Sequence, residues 1–372
     1  MTCGGWRDAR NVLCVRLDAL GDVLMSTPAI RALKESLPER KVTLLTSKSG
    51  AAVARMVPEI DDVLVYEAPW MKSSGPLAAL PERAAMDLEM VDDLRAKGFD
   101  AAVIFTVYSQ SPLPAALFCH LAAIPRRLAH CRENPYALLT HWVKEQEPEG
   151  FVRHEVQRQL DLVASVGCHA RDARLSIAVS DAARASVRAK LTARGVDLSA
   201  PWLVAHPGAT APSRRYPAEL FAEAARLIAI EYGEQVVFSG SAGERELVDG
   251  VRHAMVEPSF TLAGDLDLAE LVALVAEAPL LVSNNTGPAH IAAATGTPVV
   301  DIYALTNPQH TPWRVASRVL SHDVPCRYCY RSVCPLGHND CVRLVTPASV
   351  ARAAGELLAA RRERVGVAME LS

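Results

Sequence analysis

Short apolar runs that alternate with helix-like segments recur along the whole chain, and this alternation constrains the fold most. Runs rich in Val, Leu, Ile and Ala are typical of buried strands. The predicted strands start near residues 12, 41, 62, 101, 202, 235, 260, 280 and 298. Strands that alternate with helices form parallel βαβ units, so the sequence predicts an α/β fold with doubly wound parallel sheets.

The second half of the chain repeats the pattern of the first, which predicts two domains. A chain of 372 residues is long enough for two ordinary domains. We place them at residues 1–180 and 181–345 and expect a final helix within 346–372, packed back on the first domain. A stretch rich in Pro, Gly and Ser, residues 68–81, predicts a long surface loop.

The composition is globular, with 50% hydrophobic and 22% charged residues and a net charge of −3. A nucleic-acid-binding protein usually carries a basic excess, so nucleic acid is not an expected partner. No apolar run reaches the roughly 18 residues that a membrane span needs. The first residues, 1–7, lack the apolar core of a signal peptide. We expect a cytoplasmic protein, with peripheral membrane contact left open.

The first predicted strand runs into Gly21 and Asp22, and a helix with Pro28 in its first turn is expected to follow. Asp22 therefore lies where a strand passes into a helix, the edge at which open α/β sheets bind ligands. Two interpretations remain open from the residues alone. Asp22 is a helix cap, which is common at such positions, or it is a catalytic base.

Two segments of the second half have the composition of an anion site. Residues 206–217 combine a Gly, the hydroxyls of Thr210 and Ser213, two arginines including Arg214, and a helix start. Backbone N–H groups, a helix dipole and Arg suit phosphate. The alternative is a Pro-rich turn with exposed arginines. Farther along, Glu244 is either an acceptor for ribose hydroxyls or an acid favoured by the dipole of its helix.

The densest candidate site is the segment 280–294, in which a strand ends in two Asn and a Thr. Gly287 gives room there and Pro288 sets the first helical turn. The N–H groups of that turn would be available to an anion, and His290 lies on the same turn. The alternative is an ordinary strand-to-helix turn with a packed His.

Together, four segments resemble the ADP-heptose:lipopolysaccharide heptosyltransferases, which form glycosyltransferase family 9: Arg16–Asp22, His206–Ala209, Ser283–His290 and Cys326–Pro347. The resemblance implies the GT-B fold, with two Rossmann-like domains facing a central cleft, the first binding the acceptor and the second the nucleotide sugar. It also implies an inverting transfer of heptose from ADP-heptose to a hydroxyl, without a catalytic cofactor. The acceptor would be a lipopolysaccharide core, another glycan, a lipid-linked glycan or a protein, at the cytoplasmic face of the inner membrane.

Carried over by position, the resemblance makes Asp22 the base that deprotonates the acceptor hydroxyl, and it makes Gly21 a residue that binds the donor. Thr210, Ser213 and Arg214 fall in the segment that binds the phosphates of the donor. The family often has Lys where this chain has Arg214, which keeps the charge but changes its geometry.

The family's Asp-Thr-Gly signature matches Thr286 and Gly287, followed here by Pro288 and His290. Asn285 stands where the family has Asp. An amide is neutral and both donates and accepts hydrogen bonds, so this substitution leaves the identity of the donor sugar open.

Four of the nine cysteines cluster at Cys326, Cys329, Cys334 and Cys341. Four thiolates form a tetrahedral site suited to zinc or iron, although the spacing differs from that of a zinc ribbon. A structural metal is one interpretation, and reduced thiols or disulfides are the other. Four thiolates leave no open position for a catalytic metal.

Two other classes of function compete with the heptosyltransferase. One is a nucleotide-sugar epimerase or hydrolase, or a transferase of another sugar, because such two-domain folds host several chemistries. The other is a metal-stapled protein that binds nucleic acid, and the acidic charge balance of the chain counts against it.

Overall fold

The computed structural model describes residues 5–72 and 80–370, with side chains up to residue 363. Cys3 and residues 73–79 of the predicted loop lie outside the described residues. The chain divides into two compact units, Met1–Ala178 and Val179–Ser372.

The first unit contains a six-stranded parallel sheet with the strand order β3-β2-β1-β4-β5-β6. Its strands are β1 (Asn11–Arg16), β2 (Lys41–Thr46), β3 (Asp62–Val65), β4 (Ala101–Ile104), β5 (Arg126–Cys131) and β6 (His141–Lys144). Its helices are α1 (Leu20–Ser36), α2 (Lys48–Ala54), α3 (Leu80–Ala96), α4 (Leu113–Leu121) and α5 (Glu155–Ala164). Leu13, Val15 and Ile104 are buried in the core on one face of this sheet.

The second unit contains another six-stranded parallel sheet, with the order β12-β11-β10-β7-β8-β9. Its strands are β7 (Trp202–His206), β8 (Gln235–Phe238), β9 (Ser259–Thr261), β10 (Leu281–Asn284), β11 (Val299–Ile302) and β12 (Ser317–Leu320). Its helices are α6 (Asp181–Ala193), α7 (Ala218–Tyr232), α8 (Arg245–Met255), α9 (Leu268–Glu277), α10 (Gly287–Thr295), α11 (Asp340–Arg343) and α12 (Pro347–Glu370).

Both sheets have the same topology, and the predicted α/β fold of two doubly wound parallel sheets is confirmed. When the strands of each unit are counted from its own first strand, both orders read 3-2-1-4-5-6. In this order the chain reverses direction across the sheet between the first and fourth strands, which opens a crevice at their carboxyl ends. Ligands of doubly wound sheets bind at that crevice. The two crevices lie after β1 and β4, and after β7 and β10.

Helix α1 begins earlier than predicted. It starts at Leu20, so Pro28 lies inside it rather than in its first turn. Pro28 has no N–H to donate to the Leu24 carbonyl. The hydroxyl of Thr27 donates to that carbonyl instead, at 2.7 Å. This side-chain hydrogen bond satisfies the orphaned acceptor and lets the helix continue through the proline.

The last helix, α12, packs against α7, β11 and β12 of the second unit. That it also packs on the first unit stays a prediction. In the part of the chain that the structure describes, no helix is both long and apolar enough to cross a bilayer.

Candidate active site

At the crevice of the first unit, a single buried arginine pairs with three carboxylates. Arg16 is the last residue of β1 and its side chain is fully buried. Its Nε lies 2.9 Å from Asp18 Oδ2, its Nη2 lies 3.0 Å from Asp22 Oδ1, and its Nη1 lies 2.8 Å from Glu155 Oε1. Burial opposes the charge on Arg16, but the three carboxylates raise its pKa. The arginine therefore stays a cation around which the acids are arranged.

Both carboxylate oxygens of Asp22 are engaged. Oδ1 accepts a hydrogen bond from Arg16 at 3.0 Å, and Oδ2 accepts one from the backbone N–H of Ala19 at 3.2 Å. The second bond caps the first turn of α1, so the capping interpretation describes part of what Asp22 does. Its side chain is 19% exposed. Asp22 is thus an oriented carboxylate that solvent still reaches, a geometry that also suits a general base.

The other two acids, Glu155 and Asp18, each accept a hydrogen bond from a glutamine as well as pairing with Arg16. Glu155 is fully buried and its Oε1 also accepts from Gln159 Nε2 at 2.5 Å. Asp18 Oδ1 accepts from Gln110 Nε2 at 2.6 Å. Burial raises the pKa of Asp18 to about 6, with Asp22 and Glu155 adding to the rise and Arg16 and Gln110 opposing it. Sequence reasoning did not predict that Arg16, Gln110 and Glu155 meet at this site.

At the crevice of the second unit, Asn284 joins the two predicted anion-binding segments. Asn284 is the last residue of β10 and is fully buried. Its Oδ1 accepts from the backbone N–H of Tyr216 at 3.1 Å, and its Nδ2 donates to the carbonyl of Pro207 at 2.7 Å. One amide thus fixes the loop after β7 against the end of β10. In the sequence, the signal for this role is that Asn284 is a polar amide at the end of a buried strand.

Glu244 lies directly against the loop after β7. A Cβ on Gly208 would lie 2.1 Å from Glu244 Oε1, so glycine is what allows this approach. Glu244 Oε2 accepts from the backbone N–H and the hydroxyl of Ser241, each at 2.8 Å. Burial alone would raise the pKa of Glu244, but the bonds from Ser241 and the charges of His206 and Arg215 lower it overall. Glu244 is therefore an ionised acceptor at this crevice.

Replacing Gly208 by Ala is expected to displace Glu244 and weaken the binding of a nucleotide. Loss of one charge-assisted hydrogen bond costs about 1.5–3 kcal/mol, which corresponds to roughly a tenfold to hundredfold rise in Kd. Titration calorimetry with ADP measures this. Gly250→Ala is the matched control, because a Cβ at Gly250 in α8 meets nothing within 4 Å. Equal ADP affinities of the two variants would contradict the role of Glu244.

Of the predicted donor residues, Gly21 lies in the first turn of α1 in the first unit. Those of the second unit lie at its crevice with different exposure. Thr210 is exposed, and Arg214, Thr286 and Gly287 are half-buried. Pro288 and His290 are buried in the first turns of α10. The N-terminus of α10, where backbone N–H groups favour an anion, thus follows directly from the end of β10.

Asn285, where the resemblance implies an Asp, has an acid as its neighbour. Its Nδ2 donates to the carbonyl of His310 at 3.1 Å, and its Oδ1 is buried without a hydrogen bond. Asp301 on β11 is fully buried, and neither of its oxygens has a hydrogen bond of good geometry. Burial raises the pKa of Asp301 to about 8, while the nearby Asn285 amide and the charge of Arg214 oppose the rise. Sequence reasoning missed Asp301, which reads as one polar residue in an apolar strand.

Ser213 connects the crevice to the cysteine-rich segment. Its hydroxyl donates to the carbonyl of Arg331 at 2.8 Å, and its N–H donates to the carbonyl of Ser332 at 3.0 Å. The N–H groups of Tyr328 and Tyr330 donate to the carbonyls of residues 305 and 306. The cysteine-rich segment therefore supports two loops of the second crevice.

The cysteine cluster itself does not form a metal site in the structure. Cys326, Cys329, Cys334 and Cys341 are half-buried free thiols. Cys326 Sγ lies 3.8 Å from His338 Nε2. Burial raises the pKa of Cys341, and the other three cysteines are close enough to add to the rise. Among the described residues, however, no group of three or more His, Cys, Asp or Glu side chains is placed to hold an ion. A metal staple stays a prediction.

Comparison with known proteins gives consistent relatives over most of the chain. A family model described as glycosyltransferase family 9 (heptosyltransferase) matches residues 88–339. The lipopolysaccharide core heptosyltransferase OpsX of Haemophilus influenzae is 25% identical over 319 residues, covering 84% of this chain and 85% of that protein. Lipopolysaccharide heptosyltransferase 2 of Escherichia coli is 26% identical, covering 81% of this chain and 84% of that one.

Solved structures share the fold. A glycosyl transferase family 9 protein from Veillonella parvula superposes with a TM-score of 0.77 at 22% identity, covering 94% of this chain and 97% of that one. The E. coli ADP-heptose heptosyltransferase II superposes with a TM-score of 0.72 at 22% identity, covering 95% and 99%. The GT-B fold expected from the resemblance is confirmed. Because the family model spans more than half of the chain, the protein belongs to glycosyltransferase family 9, the heptosyltransferases.

Proposed function

We propose that the protein transfers a heptose from ADP-heptose to a hydroxyl of a lipopolysaccharide core, with inversion at the anomeric carbon. The relatives named above are lipopolysaccharide heptosyltransferases, which supports this donor and acceptor class. The observation that carries the proposal is the Asp22 carboxylate, oriented by Arg16 and Ala19 at the crevice of the first sheet.

In the proposed reaction the acceptor oxygen attacks the anomeric carbon of the donor. The bond from that carbon to the diphosphate breaks, and ADP leaves with the electron pair. Asp22 takes the proton of the attacking hydroxyl, which requires an ionised carboxylate. One displacement from the face opposite the leaving group inverts the anomeric configuration. No step uses a metal or cofactor.

In the second unit the same proposal assigns residues to the diphosphate and the ribose of the nucleotide sugar. The N-terminus of α10 and the charge of Arg214 would stabilise the negative charge that develops on the departing diphosphate. Thr210 and the hydroxyl of Thr286 would contact its oxygens, and Glu244 would accept from the ribose hydroxyls. Ser213 would act by holding the loop, because its own donors are already used.

The test is product analysis by mass spectrometry after incubation with ADP-heptose, with and without lipopolysaccharide core acceptors. The proposal expects ADP and an acceptor heavier by one heptose, formed only when both substrates are present. Screening other glycans, lipid-linked glycans and proteins identifies the acceptor. Transfer from other nucleotide sugars but not from ADP-heptose would reject the proposed donor.

A second candidate is a different reaction on a nucleotide sugar, either hydrolysis, epimerisation or transfer of another sugar. Asn285 favours it, because this chain lacks the acid of the family signature at that position. Free sugar or an epimerised donor in the absence of acceptor would support this candidate. Calorimetry with ADP, UDP-sugars and nucleic acid separates both enzymes from a binding protein, since binding to nucleic acid alone would exclude them.

For the cysteine cluster we propose a structural zinc or iron ion, supported by the chemistry of four thiol side chains in one short segment, Cys326 to Cys341. It would stiffen the segment that supports Ser213 and residues 305–306. Metal analysis of the purified protein is the test, and the absence of bound zinc and iron would reject it. A cytoplasmic location with peripheral contact to the inner membrane stays a prediction.

A further inference from the structure

Asp18 is a second carboxylate on the guanidinium that holds Asp22, and the proposed reaction leaves it without a role. The two acids bind Arg16 at nearly equal distances, 2.9 Å for Asp18 and 3.0 Å for Asp22. Their side chains are similarly exposed, at 14% and 19%. Arg16 itself is fully buried and cannot turn toward solvent. The two acids therefore compete for one cation.

Four polar or charged side chains contribute to the charge state of Asp18. Arg16 at the end of β1 and Gln110 in the segment after β4 favour the ionised form. Asp22 on α1 and Glu155 on α5 disfavour it. The hydroxyl of Ser47 donates to the Asp18 backbone carbonyl at 2.7 Å and fixes the main chain there. Three carboxylates thus share one arginine, and the cluster carries excess negative charge when all are ionised.

We propose that Asp18 is a positioning residue that keeps Asp22 strongly basic by drawing on the charge of Arg16. A carboxylate paired with an arginine of its own has a lowered affinity for protons, which makes it a poor base. The negative charge of Asp18 cancels part of that effect at Asp22. The inference rests on the proposed role of Asp22 as base. Because burial raises the pKa of Asp18 to about 6, this device operates at neutral pH and is lost as the pH falls below that value.

The test is the pH profile of kcat for Asp18→Asn, which removes the charge and keeps the shape. In the wild type, kcat is expected to fall as Asp18 takes up a proton near pH 6 and its effect on Asp22 is lost. Asp18→Asn lacks that titrating group, so its acid limb is expected to lie about one pH unit lower. The plateau kcat is expected to fall about threefold to tenfold because the base is weaker. The KM for ADP-heptose is expected to stay unchanged. Asp18→Glu keeps the charge and is expected to preserve the wild-type limb.

Glu59→Gln is the matched control, because Glu59 pairs with Arg31 at 2.8 Å and its side chain is also 14% exposed. It removes a similar ion pair from the same unit outside the Arg16 cluster, and its profile is expected to match the wild type. An acid limb that does not move in Asp18→Asn overturns the inference, whether or not the melting temperature falls, because a purely structural role changes stability alone.

Gln110→Leu gives an independent test should Asp18→Asn fail to fold. Removing the 2.6 Å hydrogen bond to ionised Asp18 raises the pKa of that acid. Asp18 is then neutral at higher pH, so kcat is expected to begin falling at higher pH than in the wild type. An unchanged limb overturns the inference. If Asp22 is not the base at all, Asp22→Asn keeps its turnover. That result distinguishes failure of the proposed mechanism from failure of the inference about Asp18.

Discussion

Asp22→Asn is expected to lower kcat by about 10²–10⁴-fold, the usual contribution of a general base. The amide has nearly the shape of the carboxylate and can still accept a hydrogen bond from the Ala19 N–H. Arg16 keeps Asp18 and Glu155 as partners, so no buried charge is left unpaired. Steady-state kinetics with ADP-heptose and a competent acceptor measure the loss.

Two readouts and one control variant separate loss of the base from loss of the fold. The ADP affinity of Asp22→Asn is expected to match the wild type, because most of the proposed donor-binding residues belong to the second unit. Its melting temperature is expected to fall only slightly, because the loss of a whole helix cap would cost about 1 kcal/mol of the free energy of unfolding. Glu59→Gln, which removes an arginine-paired acid of similar exposure, is expected to keep full activity. Near-wild-type turnover of Asp22→Asn would falsify the base mechanism.

Asn285→Asp introduces the acid that the resemblance leads one to expect at this position, yet we expect it to destabilise this protein. The new carboxyl would face Asp301, which is fully buried and already has its pKa raised to about 8. A buried charge without a partner lowers the free energy of unfolding by about 3–5 kcal/mol. The positive charge of Arg214 is not enough to neutralise two acids in the same place. We expect a clear drop in melting temperature at pH 8 and weaker ADP-heptose binding.

The pH dependence of this loss has a definite sign. An acid whose pKa is raised in the folded state destabilises that state above its unfolded pKa, because folding then opposes ionisation. The melting temperature of Asn285→Asp should therefore approach that of the wild type at pH 5 and diverge as the pH rises toward 8. The double variant Asn285→Asp, Asp301→Asn exchanges the two groups and is expected to recover stability. A single variant that melts like the wild type at pH 8 would show that the two side chains do not interact.

The strand-to-helix segments that carry the candidate residues could be predicted from sequence because their signals are local. An apolar run, a glycine and a helix start within a dozen residues fix the backbone around Asp22 and around Thr286. Local signals placed the start of α1 wrongly near Pro28. The helix continues through this proline because the Thr27 hydroxyl donates a hydrogen bond to the Leu24 carbonyl. Local signals also failed to predict β5, because this strand begins with the charged residues Arg126 and Arg127.

Strand β5 was missed because its arginine is satisfied in three dimensions. Arg127 is buried and donates through Nε to the carbonyl of Leu138 at 2.7 Å and through Nη2 to that of Ala137 at 2.8 Å. Read from the sequence, Arg126, Arg127 and His130 suggest only local positive charge. The carbonyls that allow Arg127 to be buried lie eleven and ten residues further along the chain. The residues of the strand itself do not predict these hydrogen bonds.

The sequence by itself determined the fold class, the family and the residues at the strand ends, since each follows from short patterns in register with the backbone. Tertiary structure alone decided which charges meet. Arg16 and Glu155 are 139 residues apart, Asn284 and Pro207 are 77 apart, and Asp301 reaches Asn285 from a neighbouring strand. Such pairs depend on strand order and register, because parallel strands bring distant carboxyl ends to one edge of a sheet.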